Sequence, residues 1–129
     1  MLAVGVDIID IERIEQALAR HGDRFYQRFF TNQERDYCSG RADRLAGRFA
    51  VKEAVAKALG TGIGDVSWTE IEIVCDSRGK PELQLHGQAK KLAETIGLTQ
   101  WSISLSHTAT QAIGFATGYA ENKSEQIRS

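Results

Sequence analysis

What this sequence lacks narrows it before anything it contains. No stretch of its 129 residues approaches the ~20 consecutive apolar residues that a membrane helix needs. The two cysteines, Cys38 and Cys75, are isolated and share no C-x-x-C spacing. They read as free cytosolic thiols, not as a disulfide or zinc framework. A net charge of −1 carries no basic excess of the kind a general nucleic-acid binder shows. The N-terminal Met-Leu-Ala-Val-Gly-Val-Asp has neither a basic lead nor a small-residue cleavage site, so no signal peptide is expected. Repeats and low-complexity tracts are absent, and no serine sits in a nucleophile elbow. What remains is an ordinary soluble composition, 42% hydrophobic and 26% charged. It predicts one domain over residues 1–120, followed by a polar, frayed tail at 121–129.

The organising stretch is residues 47–62, Gly-Arg-Phe-Ala-Val-Lys-Glu-Ala-Val-Ala-Lys-Ala-Leu-Gly-Thr-Gly. Its Ala, Leu, Lys, Glu and Arg content predicts a long helix from about Ala42 to Leu59, stopped by Gly60. At 100° per residue, Glu53 falls between Ala46 and Phe49, inside an apolar arc that also holds Leu45 and Ala56. A carboxylate there needs a partner or a cation. An i,i+4 pair with Lys57 and a ligand role are both open on spacing alone.

Residues Leu2–Ile9 form a near-continuous apolar run, which predicts a strand buried on both faces. Asp7 interrupts that run and needs a partner of its own. Asp10 suits the N-cap of a helix over 11–20, with Ile11, Ile14 and Leu18 as its buried stripe. Arg13, Ala17 and Arg20 share another face, and Arg24 and Arg28 extend the basic character. Those arginines alternate with Glu12 and Glu15, which suits a merely solvated face. Thr31-Asn-Gln-Glu34 is a capping box that starts a helix near Asn32, and Ser39-Gly40 ends it. From Trp68 the period changes to two. Residues 69–75 read as a half-buried strand, 76–81 as a hairpin loop, and Leu83 and Leu85 as the returning strand. Gln88–Ile96 is an amphipathic helix, and Trp101–His107 and Ala112–Tyr119 are two further strands. The last strand gathers Ala112, Gly114, Ala116 and Gly118 on one face, which lets a helix or another backbone approach closely. The order predicts an α+β domain, a mainly antiparallel sheet packed against one long and several shorter helices.

Two oxygen ligands such as Asp7 and Glu53 suit a hard ion, Mg²⁺, that keeps waters and takes further ligands from substrate phosphates. Gly60, Gly62 and Gly64 follow a helix and do not precede one, so they match neither a P-loop nor a dinucleotide fingerprint. They form either a flexible turn or a loop whose amides approach a phosphate. His107, at a strand end beside Ser106 and Thr108, is either structural or a ligand contact. The residues alone lead to a small Mg²⁺-dependent enzyme acting on a phosphate ester or anhydride.

Three blocks together resemble bacterial holo-acyl-carrier-protein synthases, which are 4′-phosphopantetheinyl transferases. They are Gly5-Val-Asp7-Ile-Ile, Arg48-Phe-Ala-Val-Lys-Glu53-Ala-Val-Ala-Lys57-Ala-Leu-Gly-Thr-Gly62, and Ser104-Leu-Ser-His107-Thr108. The resemblance implies transfer of phosphopantetheine from coenzyme A to a serine of apo acyl carrier protein, in support of fatty acid biosynthesis in the cytoplasm. It implies Mg²⁺ held by Asp7 and Glu53, and Lys57 acting on the pyrophosphate or the leaving phosphate. The serine proton would go to Glu53 or to a metal-bound water. Arg48, Lys57, Gly60, Gly62, Ser106, His107 and Thr108 match stretches that line the coenzyme A site. Arg13, Arg20 and Arg24 match the basic dock for the acidic carrier protein, with a small Ala17 between the first two. The resemblance further implies a homotrimer with sites between subunits. Two other readings compete with it: a non-catalytic coenzyme A or nucleotide-binding module of the same fold, and a Mg²⁺-dependent phosphohydrolase.

Overall fold

The computed structural model describes residues 1–61 and 64–121, so Gly62 and the tail beyond residue 121 lie outside the described residues. The elements follow the expected order: β1 (Leu2–Asp10), α1 (Ile11–His21), α2 (Asp23–Phe29), α3 (Asn32–Cys38), α4 (Ala42–Ala58), β2 (Ile71–Cys75), β3 (Pro81–Leu85), α5 (Gly87–Thr95), β4 (Gln100–His107) and β5 (Gln111–Tyr119). A single 3-10 turn, Trp68–Glu70, precedes β2. All strand pairs are antiparallel, in a three-stranded sheet ordered β1-β5-β4 and a separate β2-β3 hairpin. The fold is therefore α+β. Among the described residues, no helix is long and apolar enough to cross a membrane.

α4 is the hub, packed on β1 and β5 and against α1, α3 and β2. Leu45, Ala46, Ala50, Val51, Ala54 and Val55 are fully enclosed, so this helix is buried nearly all round. The approach to the sheet is close because the facing side chains are small. A methyl group at Gly5 would overlap the carbonyl oxygen of Ala54, and one at Gly114 would overlap the backbone of Ala50 and Val51. The small-residue face of β5 therefore receives α4, the close helix approach that such a face allows.

The opposite sheet face also departs from expectation. β1 is not buried on both faces: Leu2, Val4, Val6 and Ile8 point outward, with Leu2 67% and Ile8 59% exposed. The apolar run arises because Ile113, Phe115 and Tyr119 of β5 join those side chains in one open apolar face.

A second set of bonds fixes α4 from the hairpin side. Lys52 is fully buried, and its Nζ donates to Glu34 Oε1 (2.8 Å), the Trp68 carbonyl (3.0 Å) and the Ile71 carbonyl (2.5 Å). Glu34 also accepts from the backbone amides of Thr31 and Ile73. The capping box thus does double duty, since its glutamate neutralises a core lysine. Removing either partner would strand the other charge, at a cost of about 3–5 kcal/mol. Glu72, expected on a solvated face of β2, is buried instead and held by the Thr31 hydroxyl (2.5 Å) and the His86 ring (3.0 Å). Burial is the largest single influence and pushes its carboxyl up, but those two bonds together with the charges of His86 and Lys52 leave the group below the usual carboxylate range.

Candidate active site

The first acid comes from the sheet. Asp7 lies on the inner, helix-facing side of β1, directly across from Gly114 of β5. With no side chain opposite it, the carboxylate reaches the edge of α4. The second acid comes from α4. Phe49, Glu53 and Lys57 follow one another at single-turn spacing along the edge of that helix that packing leaves open beyond its first turn. Glu53 is therefore half-buried at a cleft wall, not set into a core-facing stripe. The helical-wheel argument assumes one buried face, whereas α4 is enclosed on nearly every side, so its exceptional face is the open one.

The expected alternative, an i,i+4 pair between Glu53 and Lys57, does not form. Lys57 Nζ donates to Asp7 Oδ1 and to the Val6 carbonyl, each at 3.0 Å. Glu53 accepts no hydrogen bond from any described residue. Burial pushes its carboxyl above the usual carboxylate range, the negative Asp7 pushes it further, and Lys57 opposes both. Two carboxylates lining one cleft with one ammonium near both leave a local demand for positive charge. Among the described residues, no cluster of three or more His, Cys, Asp or Glu could hold a metal ion. A cation at this pair would need its remaining ligands from water or substrate oxygens, the usual behaviour of Mg²⁺ and not of zinc.

Asp7 and Glu53 share a cleft of about 370 Å³ with Ile9, Arg13, Phe29 and Phe49 among its lining. Phe49 stacks on Trp68 at 4.7 Å and meets Phe29 edge-on at 5.5 Å, giving the cleft a rigid aromatic wall. The cleft adjoins a second groove of about 400 Å³ between α1 and α2, which includes Ala17, His21, Arg24, Phe25 and Arg28. Ala17, Phe25 and Phe29 line both. Arg13, Arg20 and Arg24 are exposed, with Arg13 at the acid pair and Arg24 on the groove. Asp10 stands at the α1 N-cap position but its side chain does not cap, accepting instead from the Gln111 amide at 3.2 Å.

The other candidates fall elsewhere in the protomer. Ser106, His107 and Thr108 border a shallow depression with Ile8 and Ile113 on the open sheet face. His107 is exposed, its Nδ1 3.1 Å from the Thr108 carbonyl and its Nε2 3.9 Å from Asp43. The Thr108 hydroxyl accepts from the amides of Thr110 and Gln111 and so shapes the β4–β5 turn. Gly60 ends α4 with φ +76°, in the left-handed region that glycine tolerates best. Arg48 is buried, bonded to the Arg44 carbonyl (3.3 Å) and to Cys75 Sγ (3.2 Å), with its guanidinium over Tyr37 and its Nε without a hydrogen-bond partner among the described residues. It does not line the acid cleft.

Sequence reasoning missed the buried Lys52–Glu34 pair. The signal was available, because Lys52 lies seven residues after Leu45 and so shares its side of α4. It also missed Phe29 and Phe49 as a cleft wall backed by Trp68, contacts between positions too far apart for any periodicity to show.

The model of the 4′-phosphopantetheinyl transferase superfamily matches residues 3–120. A holo-[acyl-carrier-protein] synthase of Herpetosiphon aurantiacus is 48% identical over 125 residues, covering 92% of this chain and 98% of that one. The crystal structure of the Helicobacter pylori holo-[acyl-carrier-protein] synthase in complex with coenzyme A superposes with a TM-score of 0.80 at 34% identity, covering 92% of this chain and 99% of that one. The Bacillus anthracis enzyme, in complex with coenzyme A (3′,5′-ADP), gives 0.75 at 35% identity, covering 92% and 96%. The chain belongs to the 4′-phosphopantetheinyl transferase superfamily.

Proposed function

We propose that this chain transfers the 4′-phosphopantetheine group of coenzyme A to a serine hydroxyl of an apo acyl carrier protein, using Mg²⁺ held by Asp7 and Glu53. The observation that carries this reading is the meeting of those two acids, from distant segments, beside Lys57 in one cleft bordered by the basic α1 face. The serine oxygen attacks the phosphorus next to pantetheine, the phosphoanhydride bond breaks, and adenosine 3′,5′-bisphosphate leaves. Asp7 and Glu53 would hold the cation, which would supply positive charge to offset the negative charge that builds as the anhydride splits.

The chain's own groups supply the rest. Lys57 is already oriented by Asp7 and the Val6 carbonyl, and its third N–H is free to meet a phosphate oxygen or to protonate the leaving group. The proton released by serine passes to Glu53 or to water in the cleft. The aromatic wall of Phe29 and Phe49, backed by Trp68, excludes water from one side, which strengthens each charge interaction within. Arg13, Arg20 and Arg24 receive the acidic carrier and direct its serine toward the acids.

Arg48, Gly60, Gly62, Ser106, His107 and Thr108 bind coenzyme A in this reading. Ser106–Thr108 sit beside the open apolar sheet face and not in the acid cleft. That separation supports a homotrimer in which the sheet face is buried and sites form between subunits. The chain acts in the cytoplasm, in support of fatty acid biosynthesis. Asp7→Ala and Glu53→Ala each should reduce transfer by about a hundred- to a thousandfold, the scale seen when a charge-stabilising catalytic group is removed, with the thermal transition retained. Full transfer in either folded variant would overturn the cation assignment. Incubation with coenzyme A alone separates the competing classes. A phosphohydrolase would consume it without carrier protein, and a binding module would leave it intact even with carrier present.

A further inference from the structure

The acids are brought together by a specific local fit between backbone segments. Gly5 and Asp7 are alternate residues on the same face of β1, and Gly114 lies directly across from Asp7 on β5. α4 crosses this spot. The group that a methyl group at Gly5 would strike, the Ala54 carbonyl, belongs to the residue after Glu53, and the nearest atom of another residue is the Ala58 amide nitrogen at 3.1 Å. The backbone that a methyl group at Gly114 would strike, at Ala50 and Val51, lies half a turn before Glu53. Lys57 ties the same two segments together through Val6 and Asp7. Both glycines have negative φ, so each conformation is open to alanine and space alone demands glycine.

We infer that Gly5 and Gly114 are positioning residues that set the gap between Asp7 and Glu53. A side chain at either lifts α4 from the sheet at the acid pair and carries Glu53 away from Asp7. Asp7 and Glu53 differ in length by one methylene, and the fixed gap is matched to that order, with the short acid on the strand and the long one on the helix. A bound divalent cation tolerates changes in ligand spacing of only a few tenths of an ångström. The inference rests on the reading of Asp7 and Glu53 as cation ligands.

The test is Mn²⁺ affinity of the full chain in the presence of coenzyme A, read without turnover from the loss of the free-ion magnetic resonance signal. The unaltered chain should bind Mn²⁺ and Asp7→Ala should not. Equal binding by both would overturn the cation reading itself and this inference with it. Given that difference, Gly5→Ala and Gly114→Ala should weaken Mn²⁺ by about tenfold or more, as changes behind metal ligands do. Gly118→Ala is the control. It lies on the same face of β5, but its methyl group meets the Trp101 ring at 2.9 Å and not α4, so Mn²⁺ affinity should be kept whatever melting temperature is lost. Unchanged affinity in Gly5→Ala, or an equal loss in Gly118→Ala, would overturn the spacing role alone. Should the glycine variants not fold, Asp7→Glu in the otherwise unaltered chain decides. A fixed gap cannot admit the extra methylene, and affinity should fall about tenfold or more. A helix free to retreat would leave affinity unchanged and refute the inference.

Discussion

Single residues in this protein are best understood by asking which charges have partners. Lys52 and Glu34 are complete without a ligand, each neutralised and hydrogen-bonded inside the core. Glu53 is not, and the difference has a measurable sign. A carboxyl raised above its unfolded value costs stability in its charged form. That cost is absent in acid and grows as pH rises through the raised value. Glu53→Gln should therefore raise the melting temperature of the cation-free protein at neutral pH, with the advantage vanishing below the ordinary glutamate range. Melts in EDTA across that range check the prediction, and a lower melting temperature at neutral pH would contradict the assigned strain. Asp7 and Glu53 were both legible in the sequence because each interrupts an apolar pattern. Their reason for standing out was only half legible, since Lys57 bonds Asp7 across about fifty residues of chain and not its helical neighbour.

At the scale of elements, α1 and α4 divide the work. α1 presents its apolar stripe inward through Ile11 and Ile14 and leaves Arg13 and Arg20 in solvent. Solvated arginines add little to stability, so charge reversal at Arg13 and Arg20 should leave the melting temperature nearly unchanged. It should raise KM for carrier protein about tenfold or more and reduce its salt dependence, while sparing KM for coenzyme A. An unaffected carrier KM would return these arginines to a purely solvating role. Element boundaries followed from local chemistry: the Thr31–Glu34 capping box, Gly22 after α1 and the β2–β3 turn all stand where their residue types demand. The surroundings of α4 did not follow, because periodicity reports how a helix is apolar but not how many neighbours cover it. The burial of Glu72 escaped for a similar reason, since alternation along β2 carries no information about Thr31 and His86.

At the scale of the molecule, the exposed face of the β1-β5-β4 sheet is the largest departure from a self-sufficient domain. Val4, Val6, Ile8, Ile113 and Phe115 lie in solvent on adjacent strands. If the proposed trimer buries this face, Phe115→Glu should shift sedimentation from trimer to smaller species and lower transfer, with Asp7 and Glu53 untouched. An active monomer would separate assembly from function. The proposed trimer would cover this outer face with a second copy, which accounts for an apolar run on a strand that is buried on only one face in the single chain.

The central claim is a group transfer, and the intact mass of a carrier protein reads it directly. Apo acyl carrier protein incubated with this chain, coenzyme A and Mg²⁺ should gain the mass of one phosphopantetheine group, and EDTA should prevent the gain. No gain with several carrier proteins, despite measurable coenzyme A binding, would contradict the transferase and leave a binding module in its place.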